Sequence, residues 1–133
     1  MTNEPTAEMK TPRGRLAETV GCAPFSQQQL ERGRELYTAR CSECHGGSLR
    51  GGSHGAALTG RAFSMRWRNR AASLLHQEIR TTMPPGEEDT LGPRATSDIL
   101  AFMLSESGGT PGDEALPTQV SDLHVRRLCV DSQ

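Results

Sequence analysis

The sequence has few aromatic residues, a single lysine and no long apolar run. Three Phe, one Tyr and one Trp occur in 133 residues, and only 34% of the chain is apolar. Its own side chains can therefore form only a thin core for one domain of this length. No apolar run approaches the roughly 20 residues that a bilayer requires, so we expect no membrane span. A net charge of -1 excludes a strongly basic nucleic-acid binder.

The motif that does occur is Cys-x-x-Cys-His at residues 41–45. Two thiols at this spacing can reach both vinyl groups of a haem, and the next imidazole can turn onto the iron. A buried porphyrin would also supply the apolar bulk that the core lacks. A thioredoxin-like redox pair is an alternative, but it requires a βαβ context that is not visible. A structural zinc site requires four ligands at ordered spacing. The other candidates for zinc are scattered: Cys22, Cys129, His54, His76 and His124.

Residues 1–25 contain prolines and glycines with few apolar side chains, which predicts an irregular arm. Ser26 and Gln29 form a capping-box pattern, so we expect a helix from Ser26 to about Cys41 that leads into the haem motif. Gly33 lies inside this helix, where glycine is unfavourable. We therefore predict that another helix approaches closely at Gly33.

Residues 46–60 are glycine-rich and predict a loop that wraps tightly against a flat cofactor. Residues 71–80 then predict a short helix with Leu74, Leu75 and Ile79 on one side. Met-Pro-Pro-Gly at residues 83–86 ends this helix, and the two prolines hold Met83 in an extended conformation.

A last helix is predicted from Asp98 to Ser105, with Thr96 or Ser97 as its cap. Its buried stripe consists of Ile99, Phe102 and Met103. Gly108 and Gly109 end it. The remaining residues predict an arm with one helical turn near residues 123–128. Cys22 lies before the first predicted helix and Cys129 lies after the last one, and the two cysteines can either pair or stay free.

These elements, in this order, resemble the class I cytochromes c over about residues 26–107. The resemblance rests on the N-terminal helix, the haem motif, the glycine-rich loop ending in Leu58, the Met-Pro-Pro-Gly turn and the C-terminal helix. It implies a small all-α cytochrome c fold, with three to four helices wrapped around one covalently bound haem c. The domains are then an irregular arm at 1–25, the haem domain at 26–107 and a C-terminal extension at 108–133.

The resemblance also implies the roles of individual residues. Cys41 and Cys44 form the thioether bonds, and His45 and Met83 are the two iron ligands. Gly33, Tyr37, Ile99 and Phe102 occupy the crossing of the first and last helices. The further cofactor-binding residues are Ala56, Leu58, Phe63 and Trp67. Ala56 stands where the family usually has a proline whose carbonyl accepts the N–H of the proximal imidazole.

Two other readings of the sixth ligand stay open. Met83 could be a packing residue, as we expect of Met65 and Met103. His54 or His76 could then ligate the iron. A haem enzyme or gas sensor with a labile sixth ligand is the alternative to an electron carrier.

The resemblance is strongest to bacterial cytochrome modules that accept electrons from dehydrogenases. It implies an electron-transfer protein rather than an enzyme, with a dehydrogenase as donor and an oxidase or another cytochrome as acceptor. The arginines of residues 61–70 could neutralise haem propionates or form a docking rim for acidic partners. Haem is attached outside the cytoplasm in bacteria, so we expect a periplasmic protein whose signal peptide has been removed. It is a monomer or a subunit of a larger complex, and it binds no nucleic acid.

Overall fold

The computed structural model describes residues 21–131, and helices are its regular secondary structure. Within these residues, extended backbone pairs only at isolated bridges, so the predicted all-α class is confirmed. Most of the predicted arm at 1–25 lies outside the described residues. No described helix is both long and apolar enough to cross a membrane. The helices are α1 (Gln27–Arg40), α2 (Ser42–His45), α3 (Arg61–Trp67), α4 (Ala72–Thr82), α5 (Gly92–Glu106) and α6 (Val120–His124).

The capping box at the start of α1 is confirmed. Ser26 Oγ accepts a hydrogen bond from the backbone N–H of Gln29 at 3.2 Å, and Gln29 Oε1 accepts one from the N–H of Ser26 at 3.1 Å. These bonds satisfy two of the backbone groups that a helix start leaves without partners. The helix therefore begins where the sequence predicts, and it ends directly before the haem motif.

Helices α1 and α5 cross at Gly33, as predicted. A Cβ atom on Gly33 would lie 1.8 Å from the carbonyl oxygen of Asp98, so only glycine allows this approach. One turn further along, the rings of Tyr37 and Phe102 pack with their centroids 5.4 Å apart. Arg32 also pairs with the buried carboxylate of Asp98 at 2.9 Å. The crossing thus combines backbone contact, ring packing and one ion pair.

The predicted start of α5 is wrong, because the helix begins six residues earlier, at Gly92. Pro93 lies in its first turn, where proline's fixed φ favours a helix and its missing N–H has no cost. Thr96 and Ser97 lie inside the helix and do not cap it. The Thr96 hydroxyl donates to the carbonyl of Gly92 at 2.7 Å, and the Ser97 hydroxyl donates to the carbonyl of Pro117 at 2.7 Å.

Two side chains differ from their predicted burial. Leu74 on α4 is 42% exposed, whereas Leu75 and Ile79 of the same helix are buried as predicted. Met65 was expected to be a packing residue, but 74% of it is exposed on α3. Helix α3 itself was not predicted, because its arginines interrupt the apolar pattern by which amphipathic helices are recognised.

The C-terminal segment, residues 107–131, packs against the helices although little of it is regular. Its single helix, α6, ends at His124, so the turn predicted at 123–128 begins three residues too late. The segment buries four apolar side chains: Leu116, Leu123, Leu128 and Val130. Cys22 and Cys129 form a disulfide across 107 residues of sequence, which answers the question that the sequence left open.

Candidate haem site

A cavity of about 450 Å³ lies next to the Cys-x-x-Cys-His motif. Helices α1, α3, α4 and α5 contribute to its walls, together with the glycine-rich loop and the turn after α4. Its lining contains every residue that the sequence assigned to the cofactor: Cys41, Cys44, His45, Ala56, Leu58, Phe63, Trp67 and Met83. Residues that are up to 42 positions apart in sequence therefore meet at one cavity.

The two thiols of the motif are at the end of α1 and in α2. Cys41 and Cys44 are half-buried and form no disulfide. Burial raises the pKa of the Cys41 thiol to about 11, and the nearby Arg40 opposes that rise. A thioredoxin-like pair depends instead on a lowered thiol pKa. This environment therefore disfavours the redox-pair alternative.

His45 has a defined tautomer. Its Nδ1 lies 2.7 Å from the carbonyl oxygen of Ala56. Because a carbonyl can only accept, Nδ1 must carry the proton, and the lone pair of Nε2 is left available for a metal. Alanine thus provides the backbone carbonyl at the position where the family usually has proline.

Gly55 allows the loop to come this close to the motif. A Cβ atom on Gly55 would lie 2.7 Å from the carbonyl oxygen of Cys44 and 3.0 Å from Nδ1 of His45. Any larger residue would push the neighbouring Ala56 carbonyl away from the imidazole. The loop therefore packs closely on the backbone of the motif itself, whereas the sequence predicts that it packs on the cofactor.

Met83 caps the C-terminus of α4 in an extended conformation, as predicted, with φ −124° and ψ 149°. The turn that follows is fixed to two helices. Arg40 at the end of α1 donates to Glu87 at 3.1 Å and to Thr90 at 3.0 Å, and Arg80 of α4 pairs with Asp89 at 3.5 Å. These contacts hold the turn in place behind Met83.

His54 and His76, the two alternatives to Met83 as sixth ligand, lie in different environments. His76 is buried away from the cavity, where its Nε2 lies 3.0 Å from the Ser97 hydroxyl and 3.2 Å from the Pro93 carbonyl. His54 does line the cavity, but its side chain is exposed. His124 is exposed on α6. Within residues 21–131, no group of three or more His, Cys, Asp or Glu side chains lies close enough together to hold a metal ion.

Several cavity residues were not identified from the sequence. Part of the apolar wall of the cavity is formed by Leu75 and Ile79 of α4 and by Ile99 and Met103 of α5. Their helical periodicity predicts that they are buried, but it does not show whether they line the haem cavity or pack in the protein core. Arg66 and Glu78 are charged members of the lining. Nothing local in the sequence marks such residues, because their position depends on how the helices pack.

The lining fits a porphyrin. It offers two free thiols, one imidazole with an available Nε2, one thioether and a largely aliphatic and aromatic wall. Imidazole nitrogen and thioether sulfur are donors that haem iron accepts, and two thiols at Cys-x-x-Cys spacing can bond to the vinyl groups. Cys41, Cys44, His45 and Met83 are therefore the residues that could hold it.

Comparison with known proteins agrees with this fit. Residues 28–103 match the family described as cytochrome c oxidase, cbb3-type, subunit III. No curated protein matches the chain. Among solved structures, the sulfane dehydrogenase SoxCD from Paracoccus pantotrophus is similar, with a TM-score of 0.55 and 19% sequence identity over 92% of this chain and 67% of that one. At this identity the likeness concerns the fold alone. The family match covers more than half of the chain and includes its one Cys-x-x-Cys-His motif, and we conclude that the chain belongs to this family of class I c-type cytochrome domains.

Proposed function

We propose that this cytochrome domain is a one-electron carrier that binds one haem c covalently, with His45 and Met83 as axial ligands. Electron transfer is the role that the family indicates. The observation that carries the finer proposal is the 2.7 Å contact between His45 Nδ1 and the Ala56 carbonyl, at a cavity that Met83 also lines. Haem c, when bound, supplies the reversible one-electron oxidation and reduction.

The thiols of Cys41 and Cys44 attach the cofactor. When haem is bound, each S–H would add across one vinyl double bond, with sulfur forming the new C–S bond and the hydrogen going to the other vinyl carbon. No oxidant is consumed in this addition.

The axial residues set the redox range and close the iron to other ligands. The Ala56 carbonyl holds the His45 imidazole in the Nδ1–H tautomer and increases its basicity as a ligand. A thioether from Met83 favours the reduced state more than a second imidazole does, so His/Met ligation raises the potential. With His45 and Met83 both holding the iron, oxygen and peroxide would find no open site. This supports a carrier over the haem enzyme or gas sensor.

The partners are proposed to be a dehydrogenase as donor and an oxidase or another cytochrome as acceptor, and the domain can serve as a subunit of either. The description of the matched family names an oxidase, and the similar fold belongs to a dehydrogenase. We place the protein in the periplasm. The disulfide between Cys22 and Cys129 supports an oxidising compartment.

The test is the visible spectrum of protein expressed with haem-attachment machinery in a bacterial periplasm. We expect sharp low-spin bands and, in the oxidised form, the far-red band of methionine ligation. Met83→Ala should lose the far-red band and bind CO rapidly when reduced. His54→Ala, a change in the same cavity lining, should retain the band.

Three results would contradict the proposal. A high-spin spectrum of the wild type would indicate an open site and favour the enzyme or sensor. Loss of the low-spin spectrum in His54→Ala, but not in Met83→Ala, would assign the sixth ligand to His54. Absence of covalent haem would reject the whole site.

A further inference from the structure

Residues 61–70 carry a concentrated positive charge. Four of the fifteen basic side chains of the protein are here, at Arg61, Arg66, Arg68 and Arg70, and the segment has no acidic residue. The rest of the chain has eleven basic and sixteen acidic side chains, which is a net charge of -5. All four arginines are exposed. The nearly neutral chain is therefore strongly polarised.

These arginines also differ from others in how they are paired. Arg32, Arg80 and Arg126 each form an ion pair with a carboxylate of the domain, as Arg40 does with Glu87. None of the four arginines of residues 61–70 has a carboxylate partner among the described residues. Four neighbouring arginines that form no ion pair within residues 21–131 repel one another, and an acidic partner would relieve that repulsion.

Trp67 orients two of these charges. The guanidinium carbons of Arg66 and Arg70 lie 4.9 and 4.8 Å from the centre of the indole ring. Arg70 also donates to the backbone carbonyl of Arg66 at 3.2 Å. A guanidinium that rests on an aromatic ring loses less side-chain entropy when it then binds a carboxylate. Both charges are thus held in place before a partner arrives.

An apolar side chain is located among the charges. Met65 is 74% exposed on the outer face of α3, whereas Phe63 and Trp67 on the inner face line the haem cavity. A partner seated on Met65 is therefore separated from the cavity by one helix, about 10 to 12 Å across. Electron transfer slows steeply with distance, so a thin wall of this kind suits an electron-transfer contact.

We propose that Arg61, Met65, Arg66, Arg68 and Arg70 form the docking surface for an acidic redox protein. Met65 is the apolar centre of this surface, and the arginines form its charged border. The inference rests on the proposed function, because it assumes a haem in the adjacent cavity. An interface of this composition has the arginine and methionine enrichment of protein–protein contacts, and its charges mainly increase the association rate.

The test uses reduced flavodoxin, a small acidic one-electron donor, as the probe. Stopped-flow mixing measures the second-order rate of reduction of the ferric holoprotein at ionic strengths from 10 to 150 mM, over which the Debye length falls from about 30 to about 8 Å. Arg61→Glu/Arg68→Glu reverses two charges that line no part of the cavity. Arg34→Glu/Arg94→Glu is the control, since both doubles change the net charge of the protein from -1 to -5.

We expect the wild-type rate to fall with salt. At 10 mM the Arg61→Glu/Arg68→Glu rate should be at least about tenfold lower than the wild-type rate, and the control rate less than about twofold lower. Met65→Gln should raise the flavodoxin concentration at which the reduction rate is half-saturated, while leaving the salt dependence unchanged. Equal rates for the two double variants would overturn the proposal.

Two further readouts separate the possible failures. The low-spin spectrum of each variant reports the haem site, so a normal spectrum with an unaffected rate rejects the docking surface alone. Loss of covalent haem in the wild type rejects the proposed function instead. The second readout is the binding of wild type and variants to phosphatidylglycerol vesicles. If Arg61→Glu/Arg68→Glu abolishes vesicle binding but not flavodoxin reduction, the surface is a membrane contact and the proposal is wrong.

Discussion

The crossing of α1 with α5 and the C-terminal segment both bury apolar side chains, but the two regions are held in different ways. At the crossing, each helix satisfies its own backbone, and Gly33 lets the two backbones touch. The C-terminal segment instead relies on polar groups from elsewhere. Gln29 bonds to both backbone groups of Leu116, at 2.7 and 3.0 Å, and the backbone of Leu128 pairs with Asn69 and Arg70.

The difference shows two ways of burying a chain. A helix pair depends on close packing, and a single added atom disturbs it. An irregular segment depends on individual hydrogen bonds and, here, on a cross-link, because every buried backbone group needs a partner. Four predictions test this contrast, in order of decreasing effect on the free energy of unfolding.

Removing the disulfide should have the largest effect. Cys22→Ser/Cys129→Ser opens a loop of 107 residues, and the chain-entropy model gives a loss of about 4 to 5 kcal/mol. Urea unfolding measures the loss, and wild type treated with a reductant should show the same value, since thioether bonds resist reduction. The low-spin spectrum should be unchanged, because neither cysteine lines the haem cavity. A stability within 1 kcal/mol of wild type would contradict the role of the cross-link.

Gly33→Ala should disturb the helix crossing. The new Cβ would lie 1.8 Å from a backbone oxygen of α5, which cannot rotate away, so the helices must separate at a cost of about 3 kcal/mol. Gly47→Ala is the matched control, because its Cβ would have no neighbour within 4 Å and should change stability by less than about 0.5 kcal/mol. Equal stabilities of the two variants, measured by urea unfolding, would show that the crossing is more compliant than its geometry indicates.

Gln29→Ala should destabilise the C-terminal segment. It leaves the N–H and carbonyl of Leu116 without partners and removes half of the capping box, for a loss of about 2 kcal/mol. Gln27 is in the same turn but exposed, and within the described part of the chain its side chain bonds only to Glu31. Gln27→Ala should therefore cost less than about 0.5 kcal/mol. Hydrogen exchange at Leu116 would show whether the loss is local, and unchanged protection there would refute the assignment.

The smallest effect is the pH dependence from His76, which joins α4 to α5. Burial lowers its pKa below 6.5, the Pro93 carbonyl opposes this shift, and the charge of Arg80 adds to it. Between the folded and unfolded pKa values the unfolded chain binds more protons, so stability rises with pH. The contribution is complete above pH 6.5 and is lost as pH falls through the folded pKa.

His76→Gln keeps a donor for the Pro93 carbonyl but cannot titrate. Its unfolding free energy should vary less between pH 7 and pH 5 than that of wild type. His124→Gln, at an exposed position, should retain the wild-type pH dependence. A His76→Gln profile parallel to wild type would mean that another group is responsible.

Much of the haem domain was predictable because its signals are local. The capping box, the periodicity of α1 and α4, and the Cys-x-x-Cys-His spacing each involve residues within one or two helical turns. The start of α5 was missed although Gly92 and Pro93 carry a local signal, since proline favours the first turn of a helix. The hydroxyl residues Thr96 and Ser97 were a competing signal, but both lie inside the helix, where Thr96 donates to the Gly92 carbonyl and Ser97 to the Pro117 carbonyl.

The C-terminal segment was less predictable because its contacts are distant in sequence. Gln29 and Leu116 are 87 positions apart, and no sequence pattern in either region predicts that they pair. The sequence identified Cys22 and Cys129 as unassigned cysteines. Only the fold brings their Cα atoms to 5.6 Å, a distance at which a disulfide can form.

The sequence by itself indicated the cofactor class, the candidate residues for it, helices α1 and α4 and the second half of α5, because thiol spacing and helical period act over a few residues. The tertiary structure decided the rest. It brings Ala56 to His45 and so selects a tautomer, and it puts Met83 on the same cavity. It also leaves Met65 exposed among arginines that have no carboxylate partner within residues 21–131. These features depend on which distant groups meet, and that is fixed only when the whole chain packs.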